Sequence, residues 1–155
     1  MEIPITIGRA TLSDLEEIVA IEESCLSSEE IVNYEFLEES IRKIADTLLV
    51  ARDENQLVGY VLGESQSLHP TWIEIKSFAI HPDHRGQGLG TLLLASLKQV
   101  AVEGGYEYLH LTCPDDLLSY FEMNDFATGE LLEASYARFS GWNLIWANPF
   151  YQEEV

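Results

Sequence analysis

The sequence predicts an α/β fold built on a mixed sheet, with elements in the order βααβββαβαββ. Three observations predict it. An alternating apolar run, WIEIKSFAI from Trp72 to Ile80, is soon followed by a leucine-rich stretch in which Leu92, Leu93, Leu97 and Val100 recur at helical spacing. A hairpin pattern precedes that pair: TLLVAR, a turn at DENQ, then LVGYVLGES, joined too closely for a parallel crossover. Ahead of the hairpin lie two stretches that open on helix-capping residues.

In chain order, Ile3 to Gly8 alternates loosely and reads as the first strand. Ser13 with Glu16 three residues on is a capping-box signal, and Leu15, Ile18, Val19 and Cys25 then fall near one helical face. Ser28 is placed to cap a second helix through EEIVNYEFLEESIRKIAD. After the hairpin and the Pro70 loop, the Trp72–Ile80 strand ends at Pro82. A helix then runs from Leu89 to about Glu103, closed by Gly104 and Gly105. YEYLHLT is the next strand and DDLLSYFEMN a short helix, with late strands in LLEASYARF and WNLIWAN. At 155 residues the chain has the length of one domain with a real core, so 1–155 is read as a single domain.

Composition narrows the function. An apolar content of 46% fits a packed globular protein. No apolar run approaches a membrane span and the N-terminus carries no signal pattern, so a cytoplasmic protein is expected. Cys25 and Cys113 are widely separated, which suits reduced core thiols better than a disulfide or zinc framework. His81 and His84 lie in a loop without a matching pair, so they are read as solvated imidazoles and no metal site is expected. The net charge of −19 disfavours nucleic acid and anionic lipid as partners. Glu22, Glu23, Glu29, Glu30, Glu35, Glu38 and Glu39 crowd one early segment. Either they are solvated helix faces, or, beside a pocket, they favour a cationic ligand.

The stretch HPDHRGQGLG, His81 to Gly90, joins the alternating strand to the leucine-rich helix. A strand, a glycine-rich turn and a helix N-terminus together make an anion site, because first-turn amides have no internal partner and the helix dipole adds positive charge. Glycines let a phosphate approach that backbone. The Walker pattern is absent, and Gly86, Gly88 and Gly90 give GxGxG instead of the dinucleotide fingerprint GxGxxG. From the glycines alone, a turn without a ligand stays open.

RGQGLG, Arg85 to Gly90, resembles the acyl-CoA-binding R/Q-x-x-G-x-G/A motif of the GNAT N-acetyltransferase superfamily, with Arg85, Gly88 and Gly90 at the defining positions. FAIHPDHRGQGLGTLLL is similar to the family's strand, His-Pro turn, loop and helix. LHLTCPDDLLSYFEMNDF is similar to its following strand and helix, which usually end in Tyr-x-x-x-Gly-Phe. Within the superfamily the nearest likeness is to the arylalkylamine (serotonin) N-acetyltransferase branch, through the spacing of Ser77 to Gly90 and through Cys113 eight residues before Phe121.

The resemblance implies the GNAT acyl-CoA N-acyltransferase fold, with a splay between the fourth and fifth strands, and acetyl-CoA as cosubstrate. Phe78, Ala79 and Ile80 would offer backbone groups to the pantetheine arm, and Gly86, Gln87, Gly88, Leu89, Gly90 and Thr91 would hold the pyrophosphate. Arg85 would either add charge or stay solvated. A backbone N–H near Phe78 or Ala79 would steady the thioester oxyanion. Glu74 lies where the superfamily often places its general base, acting through water. The alternative is a strand glutamate paired with Lys76 or facing solvent. Phe121 occupies the usual position of the proton-donating tyrosine and Asp125 that of the glycine; Tyr120 would serve as the acid only with a shifted helix. Cys113 is either near the thioester or inert packing.

The implied reaction is acetyl transfer to a primary amine, with an arylalkylamine, a polyamine or a peptide lysine as candidate acceptors. The alternative is a catalytically weak or idle acyl-CoA-binding protein, and a nucleotide enzyme of another class is a third reading. Trp142 and Trp146 suit core or dimer packing, so a homodimer is open.

Overall fold

The computed structural model describes residues 5–25, 34–43, 47–65, 68–128 and 141–153. The elements are β1 (Ile5–Arg9), α1 (Leu15–Cys25), α2 (Tyr34–Lys43), β2 (Leu48–Asp53), β3 (Gln56–Ser65), β4 (Trp72–Ile80), α3 (Leu89–Glu103), β5 (Tyr108–Cys113), α4 (Asp115–Met123), β6 (Ala127–Thr128) and β7 (Trp142–Ala147). Their order is the expected one. The seven strands form one mixed sheet, β1-β2-β3-β4-β5-β7-β6. β4 and β5 are parallel, with Trp72, Ile73 and Glu74 opposite Tyr108, Leu109 and His110. The pairs β1/β2, β2/β3, β5/β7 and β6/β7 are antiparallel.

The chain divides into two compact units, residues 1–64 with 76–100, and residues 65–75 with 101–155. In the first, Leu15, Ile18 and Ile21 of α1 and Leu37 and Ile41 of α2 form a buried cluster with Leu48, Val50, Tyr60, Leu62 and Ala79. Each large aliphatic side chain buried there contributes about 1.5–3 kcal/mol. A Cβ on Gly59 would lie 2.7 Å from the Ile80 side chain and 3.3 Å from Leu93, so glycine on β3 permits this close approach.

In the second unit, β5 carries the antiparallel ladder to β7, from Tyr108 opposite Ala147 to Cys113 opposite Trp142. Asn148 ties the end of β7 back, its side chain donating to the Tyr106 carbonyl at 2.7 Å. The α4 helix buries Phe121 edge-on to Phe126, ring centres 5.9 Å apart.

Two expectations shift in detail. The cap of α1 belongs to Thr11 and Asp14, not to Ser13 and Glu16. Thr11 N–H donates to Asp14 Oδ2 at 2.7 Å, and a short 3₁₀ turn over Leu12–Asp14 leads into the helix. Asp14 takes this place because its buried carboxylate also pairs with Arg52. On α3 the buried stripe is Leu89, Leu93, Leu94, Leu97 and Ala101, while Leu92 is exposed, one position off the stripe. The second helix is seen from Tyr34; the expected cap Ser28 and the late strand segment 131–139 lie outside the described residues.

Asp125 has φ of +70°, just past the end of α4, and Phe126 N–H donates to the Phe121 carbonyl at 3.0 Å. This is the left-handed C-terminal cap that glycine serves best, and the glycine of the Tyr-x-x-x-Gly-Phe pattern falls at this position. Asp125→Gly is therefore expected to stabilise the protein by about 1 kcal/mol, raising Tm by roughly 2–4 °C in thermal denaturation.

Candidate active site

The seam between β4 and α3 lies wholly within the first unit. His81 starts a 3₁₀ turn over Pro82–His84, its side chain accepting from Asp83 N–H at 3.1 Å, with Pro82 at the first helical position where its missing N–H costs nothing. Arg85 is extended, then Gly86 and Gly88 adopt φ of +78° and +79°. Beyond its chain neighbours, a Cβ at either glycine would meet no atom of the described residues within 4 Å. The glycines thus serve the backbone conformation, and the space in front of them is open.

The hydrogen-bond ladder of α3 begins with Leu92 N–H donating to the Gly88 carbonyl at 3.1 Å. The amides of Leu89, Gly90 and Thr91 precede it, at the positive end of a fifteen-residue helix. Gly88 stands at the N-cap, where it offers no side-chain acceptor, and the first turn carries no acidic residue. Although the chain holds 27 acidic residues, none falls between His84 and Val102. That acid-free window was a legible signal for an anion site and adds to the glycine spacing. Leu89 and Gly90 are buried, whereas Gly86, Gln87, Gly88 and Thr91 are exposed.

Phe78, Ala79 and Ile80 lead into the seam. His81 N–H donates to the Val58 carbonyl of β3 at 2.8 Å. Peptide groups alternate sides along a strand, so those of Ala79 also turn toward β3 and those of Phe78 and Ile80 turn to the other edge. The Ile80 carbonyl accepts from Cys25 Sγ and from Arg85 Nε, both at 3.3 Å. Arg85 is therefore tied to the strand end while its guanidinium is exposed. His84 is more enclosed than a solvated imidazole, with Nε2 3.8 Å from Asp53 Oδ2 and its ring 5.5 Å from that of His81. Among the described residues no group of three His, Cys, Asp or Glu side chains is arranged to hold a metal ion.

In the second unit Glu74 is half-buried on β4, in register with buried His110 on β5; Lys76, two residues on, is exposed. Tyr120 is half-buried and edge-on to Phe121, ring centres 5.2 Å apart, while Phe121 itself is buried. Cys113 ends β5, and burial first, then Asp116, Asp115 and Glu122, pushes its thiol above the usual range. A thiol held protonated is a poor nucleophile, which suits packing. Trp142 is exposed, its indole N–H donating to Asp115.

The first unit also holds a polar group that the sequence pattern obscured. Glu22, counted among the early surface acids, is fully buried and accepts from Tyr60. Its signal was its position: Ile18, Ile21, Glu22 and Cys25 share the apolar stripe of α1, and an acid on a buried stripe calls for a partner. A separate hollow of about 510 Å³ lies against β1 and β2, lined by Arg9, Asp14, Arg52 and Glu54 among others. Arg52 there pairs with Asp14 and Glu17, so its charge is spent within the fold.

Residues 13–120 match the model of the Acetyltransferase (GNAT) family. The chain belongs to that family. Membership makes it, by class, an acetyl-CoA-dependent acetyltransferase. Comparison with curated proteins finds no match. Among solved structures it is similar to Ard1 from Thermoplasma volcanium, with a TM-score of 0.77 and 18% identity over 96% of this chain and 99% of that one. It is similar to the PaiA N-acetyltransferase of Thermoplasma acidophilum in complex with coenzyme A, with a TM-score of 0.76 and 16% identity over 93% and 99%. A third, YncA from Salmonella typhimurium with acetyl-CoA, has a TM-score of 0.73 and 17% identity over 96% of each chain. These likenesses share the GNAT fold.

Proposed function

We propose that the chain, as a single domain over 1–155, transfers the acetyl group of acetyl-CoA directly to the primary amine of a small cationic molecule. The observation that carries this reading is the seam itself: two left-handed glycines with open space before them, set at the uncapped amides of α3. That cradle fits a diphosphate, since added side chains would fill it and the first turn of α3 carries no acid to oppose the charge. Gly86, Gln87, Gly88, Leu89, Gly90 and Thr91 hold the diphosphate, with Arg85 at its edge. Phe78 and Ile80 offer the pantetheine arm the strand edge turned away from β3, and Ala79 shapes that stretch from between them.

In the reaction, the amine nitrogen attacks the thioester carbonyl carbon. The carbon–sulfur bond breaks and coenzyme A leaves as a thiolate that takes up a proton. An alkyl amine has a pKa of about 10.4, so it arrives protonated and must lose a proton before attack. Glu74 receives that proton through water. The Phe78 amide steadies the developing oxyanion. A thiol with a pKa of about 8.5 departs without much help, so Phe121 in the usual tyrosine position slows the reaction without abolishing it, and half-buried Tyr120 is the remaining donor.

The finer likeness to the arylalkylamine branch rests on the Ser77 to Gly90 spacing and on Cys113, with Glu74 departing from that branch's usual histidine. The acidic residues of α2, Glu35, Glu38 and Glu39, support a cationic acceptor, an arylalkylamine or a polyamine. The free thiols Cys25 and Cys113 are in keeping with a cytoplasmic setting, and a homodimer stays compatible with exposed Trp142.

A second reading, an idle acyl-CoA-binding protein, is favoured by one observation, the buried phenylalanine at the donor position. Coenzyme A release from acetyl-CoA across a panel of arylalkylamines, diamines and polyamines, beside a coenzyme A titration, separates the two. Turnover with one amine class is the expected result. Tight binding with no turnover on any amine of the panel would favour the idle reading.

A further inference from the structure

Three side chains from three elements meet inside the first unit: Glu22 of α1, Tyr60 of β3 and Ser77 of β4. Glu22 and Tyr60 are fully buried and Ser77 is 7% exposed. Tyr60 Oη lies 2.5 Å from Glu22 Oε1 and 2.6 Å from Ser77 Oγ. A tyrosine hydroxyl has one proton, which goes to Glu22, so Ser77 donates to Tyr60 and the chain runs Ser77 to Tyr60 to Glu22. Burial, then the bond to Glu22, raises the Tyr60 pKa far above its ordinary value, so Tyr60 stays a neutral donor.

The apolar alternative at each position would bury well, and a carboxylate taken out of water costs several kcal/mol unless it is well bonded. Tyr60 sits in a buried cluster that is otherwise aliphatic, with Ile18, Ile21, Leu62 and Ala79 among its members. The polar chain is anchored where it has most leverage on the proposed site. Ser77 precedes Phe78, so holding its side chain fixes the peptide plane that carries the Phe78 N–H. Three residues further along each element, Cys25 Sγ donates to the Ile80 carbonyl at 3.3 Å. Helix α1 is thus fastened twice, at i and i+3, to the strand segment that leads into the glycine seam.

We infer that Glu22, Tyr60 and Ser77 are positioning residues that fix the Ser77–Phe78 peptide of β4 for the thioester end of acetyl-CoA. This rests on the acetyl-transfer reading above. The chain is separate in sequence from the diphosphate cradle at 86–91, so it governs the acyl-pantetheine end of the ligand and leaves the diphosphate end untouched.

The test compares two probes by calorimetry: acetyl-CoA, and 3′-phosphoadenosine 5′-diphosphate, which keeps the diphosphate and lacks the pantetheine arm. Tyr60→Phe and Ser77→Ala keep the packing volume nearly intact, and circular dichroism with a thermal melt verifies that each folds. Each variant is expected to bind acetyl-CoA about 10-fold more weakly, about 1.4 kcal/mol, while its affinity for the diphosphate probe stays within about twofold of wild type. The double variant is expected to lose no more than either single one, since both break the same chain. Equal weakening of both probes, or unchanged acetyl-CoA affinity in folded variants, would overturn the inference alone. Wild-type protein that binds neither probe would overturn the acetyl-transfer reading and this inference together.

Discussion

Replacing Gly88 by valine is expected to weaken acetyl-CoA binding by about 100-fold or more, equivalent to about 2.7 kcal/mol, in a protein that still folds. The backbone there has φ of +79°, which a β-branched residue adopts only under strain of about 1–3 kcal/mol. Beyond the chain neighbours, no atom of the described residues stands within 4 Å of the new Cβ, so it does not clash with them; the side chain occupies the space assigned to the diphosphate. Gly105 provides the control. It has φ of +72° and equally open surroundings, but it closes the other end of α3. Gly105→Val is expected to cost a comparable number of degrees in Tm with acetyl-CoA affinity unchanged. If both variants retain full affinity in calorimetry, the diphosphate is held elsewhere.

The second large effect is on turnover. Glu74→Gln keeps the size and the hydrogen-bonding reach of a half-buried side chain on β4 and removes its basicity. Loss of a general base typically costs about 10²–10⁴-fold, so kcat is expected to fall by about 100-fold or more. Acetyl-CoA affinity is expected to hold within about twofold, because Glu74 is assigned to the amine's proton and not to the binding of acetyl-CoA. Undiminished turnover across pH would remove Glu74 from the mechanism and leave the amine's proton to bulk water.

The elements that announced themselves in the sequence are those whose pattern follows from a single face. Strand β4 and helix α3 begin and end where the alternation, the helical leucines and the paired glycines placed them. The glycine seam was legible because φ near +80° leaves few residue choices. Asp125 stood out in the sequence only as the residue at the glycine position of the Tyr-x-x-x-Gly-Phe pattern; its φ of +70° shows that this position is a left-handed helix cap.

What stayed hidden depends on partners distant in sequence. The cap of α1 moved to Thr11 and Asp14 because Asp14 answers to Arg52, thirty-eight residues on. Leu92 looked like part of the stripe because leucines at 92, 93 and 94 satisfy several helical phases at once. Glu22 passed for a surface acid in a segment crowded with acids, since Tyr60 and Ser77 lie on β3 and β4 and only the fold brings their hydroxyls to it.

The central claim is that the amides at the mouth of α3 grip the diphosphate of acetyl-CoA. Amide NMR on nitrogen-15-labelled protein, titrated with coenzyme A, tests it at single-residue resolution. The account predicts that the signals of Gly86, Gln87, Gly88, Leu89, Gly90 and Thr91 move most, and that the same signals respond to 3′-phosphoadenosine 5′-diphosphate. Shifts confined to other residues, or none at millimolar coenzyme A, would contradict it.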